Sequence, residues 1–122
     1  MGDKITAFRI KNPDNIKRGN IVIFRDDPIF VIKRVAGLPG EIIEIKNGDI
    51  YINGVLKNDI KGIQKDRSNY GPFAIPERSL FLLGDNMKVS RDSRKEGPIP
   101  FEKIQYKALA VYWPFTHIKF LI

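Results

Sequence analysis

Short apolar runs, broken at close intervals by Gly, Pro, Asn and Asp, make up most of the chain. The runs that predict strands cover residues 5–10, 21–24, 29–35, 41–45, 49–52, 55–56, 80–83 and 106–113. Runs of this length between turn residues are typical of β-strands, and the one helical turn that we expect covers 101–104. The pattern predicts an all-β fold made mostly of antiparallel sheets, with 21–24 and 80–83 as buried strands.

Two Asn-Gly pairs separate three of these runs. Asn47-Gly48 and Asn53-Gly54 each lie between short β-rich segments, and both residues of such a pair tolerate the positive φ of a type I′ hairpin turn. The spacing predicts a three-stranded meander over residues 41–56. Residues 57–79 are polar and rich in turn residues, which predicts a surface excursion within a single domain over 1–122.

Charge and composition narrow the possible functions. Lys and Arg number 21 against 14 Asp and Glu, for a net charge of +7, but the basic residues form no block that would indicate nucleic acid. The excess charge suits either a solvated surface or anionic lipid headgroups. The chain has no cysteine and a single histidine, His117, so it lacks the residues for a disulfide or a Cys/His zinc site. We expect no metal and no cofactor.

A lysine interrupts one of the apolar runs. Strand alternation over 29–35 places Val31, Lys33 and Val35 on one face, and Ile32 and Arg34 on the other. An ammonium pressed against an apolar surface loses hydration, which lowers its pKa and makes the neutral amine available as a general base. The alternative is a lysine whose ammonium reaches solvent past the strand edge.

A polar loop, residues 84–94, follows the apolar run 80–83. It reads GDNMKVSRDSR and is dense in hydroxyl, carboxylate and guanidinium groups. Such a set can hydrogen-bond internally and hold one side chain in place. The alternative is an Asx-rich turn that caps its own backbone.

Taken together, the two segments resemble the type I signal peptidases, which are serine–lysine peptidases. The lysine box of that family reads K-R-[VI]-x-G-x-P-G-[DE], and residues 33–41 read KRVAGLPGE. The last box of the family reads G-D-N-x-x-x-S-x-D-S-R, which residues 84–94 match. Residues 51–54 (YING) and 113–115 (WPF) are also familiar from these enzymes, so the resemblance covers nearly the whole chain in the family's order.

The resemblance implies a role for each residue of the two boxes. Lys33 matches the general base that takes the proton of a nucleophilic serine, and Ser90 matches the serine that positions the lysine. Asp92 and Arg94 match a supporting ion pair. Asp85 and Gly84 belong to the same scaffold, where the glycine would allow close approach of the backbone.

The resemblance also implies a substrate and a location. Val31 and Ile32 match the strand along which the signal peptide of a secreted preprotein lies extended, and small pockets there would favour an A-x-A-like cleavage site. The full-length enzyme would be anchored at the extracytoplasmic face of the cell membrane, in contact with the membrane surface. No apolar run approaches the ~20 residues of a bilayer span, so the chain as given is expected to be soluble.

The nucleophile box of the family, S-M-x-P-T-L, ends shortly before a Gly-Asp pair, which Gly2-Asp3 matches here. We therefore expect the nucleophile to lie upstream of Met1 and the chain as given to be an inactive, truncated core. None of its serines matches that box: Ser68, Ser79, Ser90 and Ser93. One alternative is a noncatalytic homologue that binds peptides or assists secretion or pilus assembly. Another is a self-cleaving repressor-type relative, but those proteins lack the 84–94 loop.

Overall fold

The computed structural model describes residues 5–9 and 15–111, with side chains described for 15–107. Within these residues, ten strands form two sheets. The strands are β1 (Ile5–Arg9), β2 (Ile21–Asp26), β3 (Ile29–Gly37), β4 (Ile42–Lys46), β5 (Asp49–Ile52), β6 (Val55–Leu56), β7 (Tyr70–Ala74), β8 (Ser79–Leu83), β9 (Ile99–Pro100) and β10 (Ile104–Val111). A one-turn helix, α1, covers Ser93–Glu96, and a 3-10 turn covers Phe101–Lys103.

All neighbouring strands in the two sheets are antiparallel, which confirms the predicted fold class. The larger sheet has the order β1-β10-β2-β3-β8-β9, and the smaller one the order β6-β5-β4-β7. The predicted meander is β4-β5-β6. Both of its turns have the positive φ angles that favour Asn-Gly, at 50° and 83° for Asn47 and Gly48 and at 51° and 82° for Asn53 and Gly54.

The core lies on both faces of β8, whose five residues are all buried. Phe81 and Leu83 pack with the isoleucines of β4 and β5 between the two sheets, whereas Leu80 and Leu82 pack with residues of β2 on the opposite face. Burial on both faces explains why 80–83 is a continuous apolar run. We also predicted a strand buried on both faces at 21–24. That prediction was wrong for one face of β2, because Val22 is buried but Ile21 is only half-buried.

The predicted surface excursion at 57–79 was wrong in its second half. β7 pairs with β4 and completes the smaller sheet, and Ile75 just beyond it is buried in the core. Gly71 and Pro72 hid this strand from the sequence pattern. Pro72 is tolerated because β7 is an edge strand, where proline costs no ladder hydrogen bond. Gly71 is needed because a Cβ there would lie only 2.6 Å from the carbonyl oxygen of Ile43.

The first and last predictions along the chain are tested only in part. β1 and β10 are present, as predicted for the runs 5–10 and 106–113. The Gly2-Asp3 pair and the residues from 112 onward lie outside the described residues.

Candidate active site

Lys33 lies in the middle of β3 and is only 8% exposed. Val35, two residues along on the same face, is fully buried, and Val31 is half-buried, as the alternation predicted. The Lys33 ammonium donates a hydrogen bond to the Ser90 hydroxyl, with 3.2 Å between Nζ and Oγ. The predicted contact between the two boxes is therefore present, and the burial argues against a lysine that reaches solvent.

Capping interactions fold the 84–94 loop back towards β3. Asp92 is the N-cap of α1 and accepts a hydrogen bond from the Arg94 amide. Its Oδ2 also accepts from the amide of Gly84 at 3.1 Å, and Ser93 Oγ accepts from the amide of Leu82 at 2.9 Å. The start and the end of the loop are thereby fastened to the end of β8. Asp92 does cap its own backbone, as the alternative of an Asx-rich turn predicted. The same loop also places the Ser90 hydroxyl within hydrogen-bond distance of Lys33.

The Asp92 carboxylate is the centre of the site. Its side chain is fully buried, and both of its oxygens accept from Arg94 at 2.9 Å. Burial alone would raise its pKa, but hydrogen bonds from Arg94, from the Gly84 amide and from Ser90 outweigh burial and lower it. Asp92 therefore stays ionised at neutral pH. The predicted ion pair between Asp92 and Arg94 is present.

Asp85 holds the loop to β3 through a different partner. Its two oxygens accept from Arg34 Nε and Nη2 at 2.7 and 2.8 Å, a bidentate pair. Arg34 also donates to the carbonyl oxygen of Gly19, so the same side chain ties the entry of β2 to the loop. The alternation had placed Arg34 on the face opposite Lys33, but no sequence pattern predicted Asp85 as its partner.

Burial and the neighbouring charges shift the pKa of the Lys33 ammonium. Burial is the largest cause and lowers the pKa of the Lys33 ammonium. Asp92 raises it, Arg94 lowers it and Asp85 raises it, and the net result is a pKa below the ordinary lysine value. The direction is the one that a general base working near neutral pH requires.

A groove of about 510 Å³ opens beside Lys33 and Ser90. Its apolar lining comes from Phe24, Ile29, Phe30, Val31, Leu82, Val89 and Ile99. Val31, which the resemblance assigned to substrate binding, is part of this lining. The Ile32 side chain is buried and is not part of the lining, because it points to the opposite face of β3.

Among the described residues, the first half of β3 has a partner strand on one side only. β3 pairs with β8 from Arg34 to Gly37, whereas for Ile29–Ile32 the described part of the chain gives pairing with β2 alone. The Val35 amide donates to Asn20 and its carbonyl accepts from Gly19, so Val35 bonds on the β2 side. By alternation, the amide and carbonyl of Ile32 point to the free edge, where an extended peptide could bond to them.

Within the described residues, a buried lysine thus bonds to a half-buried hydroxyl beside a groove in an antiparallel β fold. The profile of the family described as "Signal peptidase, peptidase S26" matches residues 2–113. The chain belongs to this family, and the curated relatives that it resembles are described as type I signal peptidases.

Three curated relatives carry that description. The chain is 30% identical to "Probable signal peptidase I-2" of Synechocystis, over 94% of the chain and 55% of the relative. It is 31% identical to "Signal peptidase I S" of Bacillus subtilis, over 90% of the chain and 66% of the relative. It is 35% identical to "Signal peptidase IB" of Staphylococcus aureus, over 86% of the chain and 65% of the relative. The chain thus spans less than two thirds of the length of each.

A solved structure supports the fold. The crystal structure of a signal peptidase I from Enterococcus faecalis matches with a TM-score of 0.59 and 28% identity, over 78% of this chain and 95% of that one. Within the described part of the chain, no helix has the length and apolar character needed to cross a membrane.

Proposed function

We propose that the chain is the catalytic core of a signal peptidase that cleaves N-terminal signal peptides from secreted preproteins. The observation that carries the proposal is the buried Lys33 ammonium, 3.2 Å from the Ser90 hydroxyl, at the wall of the groove. In this proposal Lys33 is the general base, and Ser90 is a positioning residue that accepts its hydrogen bond. Asp92 and Arg94 hold Ser90, while Gly84 and Asp85 fasten the loop to the strands.

The chemistry is a two-step acyl transfer. The neutral Lys33 amine takes the proton of a serine hydroxyl as the serine oxygen bonds to the scissile carbonyl carbon. The Lys33 ammonium then gives that proton to the leaving amine as the C–N bond breaks, which leaves an ester. Lys33 next takes a proton from water, the hydroxide oxygen replaces the ester oxygen at the carbonyl carbon, and the serine regains its proton.

In this proposal the nucleophile is none of the four serines of the chain, so the chain by itself does not cleave. Ser79 and Ser93 are buried, and Ser68 bonds to Asp66. Ser90 is engaged by both Lys33 and Asp92, which suits a residue that orients the base.

The groove and its surroundings support the proposed substrate and location. An extended signal peptide would bond to the free edge of β3 at Ile32 and lie over Val31. Ile29, Phe30 and Val89 line the groove and are strongly exposed for apolar residues. Together with the net charge of +7, these side chains suit an enzyme that works at the extracytoplasmic surface of a membrane.

The decisive experiment extends the chain at its N-terminus with the family's nucleophile box and measures cleavage of a preprotein. We expect cleavage in the extended protein and its loss in Lys33→Met, with folding retained. Lys65→Met is the matched control, because Lys65 is an exposed lysine paired with Asp49. Full cleavage by Lys33→Met would overturn the proposal. Labelling of the unextended chain at Ser90 by a serine-directed acylating inhibitor would show instead that Ser90 is the nucleophile.

A further inference from the structure

We propose that Asp66, assisted by Ser68, is a positioning residue of the same site: it orients the Arg94 guanidinium and, through Asp92 and Ser90, the Lys33 amine. The inference rests on the proposed function, because it assigns Asp66 to the support of the general base. Asp66 lies in the turn-rich segment 57–69, outside both sequence boxes.

The first argument is the complete use of the Arg94 guanidinium. Nε and Nη2 donate to the two oxygens of Asp92, and Nη2 also donates to the Met87 carbonyl at 2.8 Å. Nη1 donates to Asp66 Oδ2 at 2.8 Å and to Ser68 Oγ at 3.0 Å. A guanidinium has five N–H donors, and each has one acceptor here. Asp66 and Ser68 supply the two acceptors of Nη1, and the Arg94 side chain is only 11% exposed.

The second argument is that Asp66 is itself held in place. Its Oδ1 accepts from the Ser68 amide at 2.9 Å and from the Ser68 hydroxyl at 2.6 Å, which leaves Oδ2 for Arg94. The side chain is 18% exposed. Burial raises the pKa of Asp66, but the hydrogen bonds from Ser68 and Arg94 outweigh burial and lower it. Asp66 is therefore a fixed anion on the far side of Arg94 from Asp92.

The third argument is that the backbone of the segment is fastened on two sides. The Gly48 amide donates to the Ser68 carbonyl at 2.9 Å, and a Cβ at Gly48 would lie 1.9 Å from the carbonyl oxygen of Asp66. On the other side, the Gln64 carbonyl accepts from the Met87 amide at 3.0 Å, within the 84–94 loop. The contacts lead from the turn between β4 and β5, through Asp66 and Arg94, to the loop that carries Ser90.

The consequence is that loss of the Asp66 carboxylate leaves one N–H group of Nη1 without its charged acceptor. The guanidinium would turn to find another, and Asp92 would turn with it, since the two share a bidentate contact. Ser90 would then lose its fixed place beside Lys33.

The test uses the chain as given, with lysine labelled at the ε-carbon and the Lys33 signal assigned by its absence in Lys33→Arg. In Asp66→Asn we expect Lys33 to titrate about half a unit lower or more, because an anion and the fixed acceptor Ser90 are both lost. The Gly84 amide, which donates to Asp92, should exchange about tenfold faster. The matched control is Asp49→Asn, which removes the same charge from an exposed pair and should change neither readout.

A second background separates positioning from a direct field. Arg94→Lys keeps the charge but loses the five-donor fork, so adding Asp66→Asn to it should move the Lys33 titration little further. If the shift persists in full, Asp66 acts on Lys33 through space and the positioning role is wrong. Should Asp66→Asn fail to fold, Ser68→Ala removes one acceptor of Nη1 and should give smaller shifts of the same sign. Unchanged readouts in both variants would overturn the inference.

The outcomes also separate this inference from the proposed function. In the extended, cleaving protein, Asp66→Asn should lower kcat, move the pH profile with the Lys33 titration and leave KM nearly unchanged. If Lys33→Met abolishes cleavage while Asp66→Asn changes nothing, the function stands and the role of Asp66 fails. If Lys33→Met still cleaves while Asp66→Asn shifts the Lys33 signal, the contacts act as described but serve another purpose.

Discussion

Arg91 and Arg94 lie three residues apart on the same loop, each forms an ion pair, and the two pairs differ in almost every physical respect. The Arg91 side chain is 74% exposed and pairs with the exposed Glu96. The Arg94 side chain is 11% exposed and bonds to two carboxylates, a hydroxyl and a carbonyl. Solvent screens the first pair, so it contributes about 0–1 kcal/mol to stability. The second is largely shielded from solvent and uses every N–H donor of Arg94, so its value lies in the geometry that it fixes.

The difference shows that sequence spacing does not predict what an ion pair contributes. Both pairs consist of an Arg and an acidic residue a few positions apart. Burial and the number of acceptors decide which pair can hold a catalytic group, and neither can be read from spacing alone.

Arg94→Met should produce the largest change. It leaves the buried Asp92 and the partly exposed Asp66 without their cation, and breaking a buried pair such as Asp92–Arg94 costs about 3–5 kcal/mol. Urea unfolding of this variant should be compared with Arg91→Met, for which we expect about 0–1 kcal/mol. Equal losses in the two variants would show that the burial contrast has no energetic consequence.

The acid limit of stability should depend on Asp92. Because its pKa is lowered by folding, its contribution is present above the unfolded value of about 3.9 and is lost as the pH falls through the lower folded value. Asp92→Asn should therefore be less stable at pH 7, by about 1–3 kcal/mol, and lose less stability than the wild type between about pH 5 and pH 2. Urea midpoints across this range provide the measurement. Parallel curves for the two proteins would contradict the assigned charge state.

Gly48→Ala and Gly54→Ala form a matched pair in the two Asn-Gly turns. The φ angles are 83° and 82°, so the conformational penalty of a side chain should be the same, about 1 kcal/mol. At Gly54 nothing lies within 4 Å of the added Cβ, whereas at Gly48 the Asp66 carbonyl blocks it. Gly48→Ala should cost about 1–3 kcal/mol more, by analogy with other strained sites. Thermal unfolding gives the difference, and equal melting temperatures would mean that the 64–68 segment moves away freely.

The smallest effect is expected at the pair of Lys65 and Asp49, whose side chains are both substantially exposed. A double-mutant cycle with Lys65→Met and Asp49→Asn should give a coupling energy below about 1 kcal/mol. The corresponding cycle for Arg94 and Asp66 should give at least twice as much. A larger coupling at the exposed pair would reverse the ranking.

The sequence predicted the parts of the molecule that depend on short-range patterns. Asn-Gly turns fix the meander locally, and alternation around Lys33 placed it on a buried face. The contact between Lys33 and Ser90 was predicted from the family resemblance. Hydrophobic patterning could not predict it, because the two residues are 57 positions apart. Asp66 was missed because its partner Arg94 lies 28 residues away and its own segment looks like an ordinary exposed turn. β7 was missed because Gly71 and Pro72 oppose strand propensity and only tertiary contacts outweigh them.

The free edge of β3 has a cost as well as a use. Within the described part of the chain, the outer edge of Ile29–Ile32 has no partner strand and lies beside exposed Ile29 and Phe30. Such an edge is a template for any extended chain, including another copy of itself. Charged residues also line the groove, among them Arg25, Asp26 and Lys103, and charges beside an exposed strand edge disfavour pairing between like molecules. Charges from β2 and from the 3-10 turn would thus limit the aggregation that the edge of β3 invites.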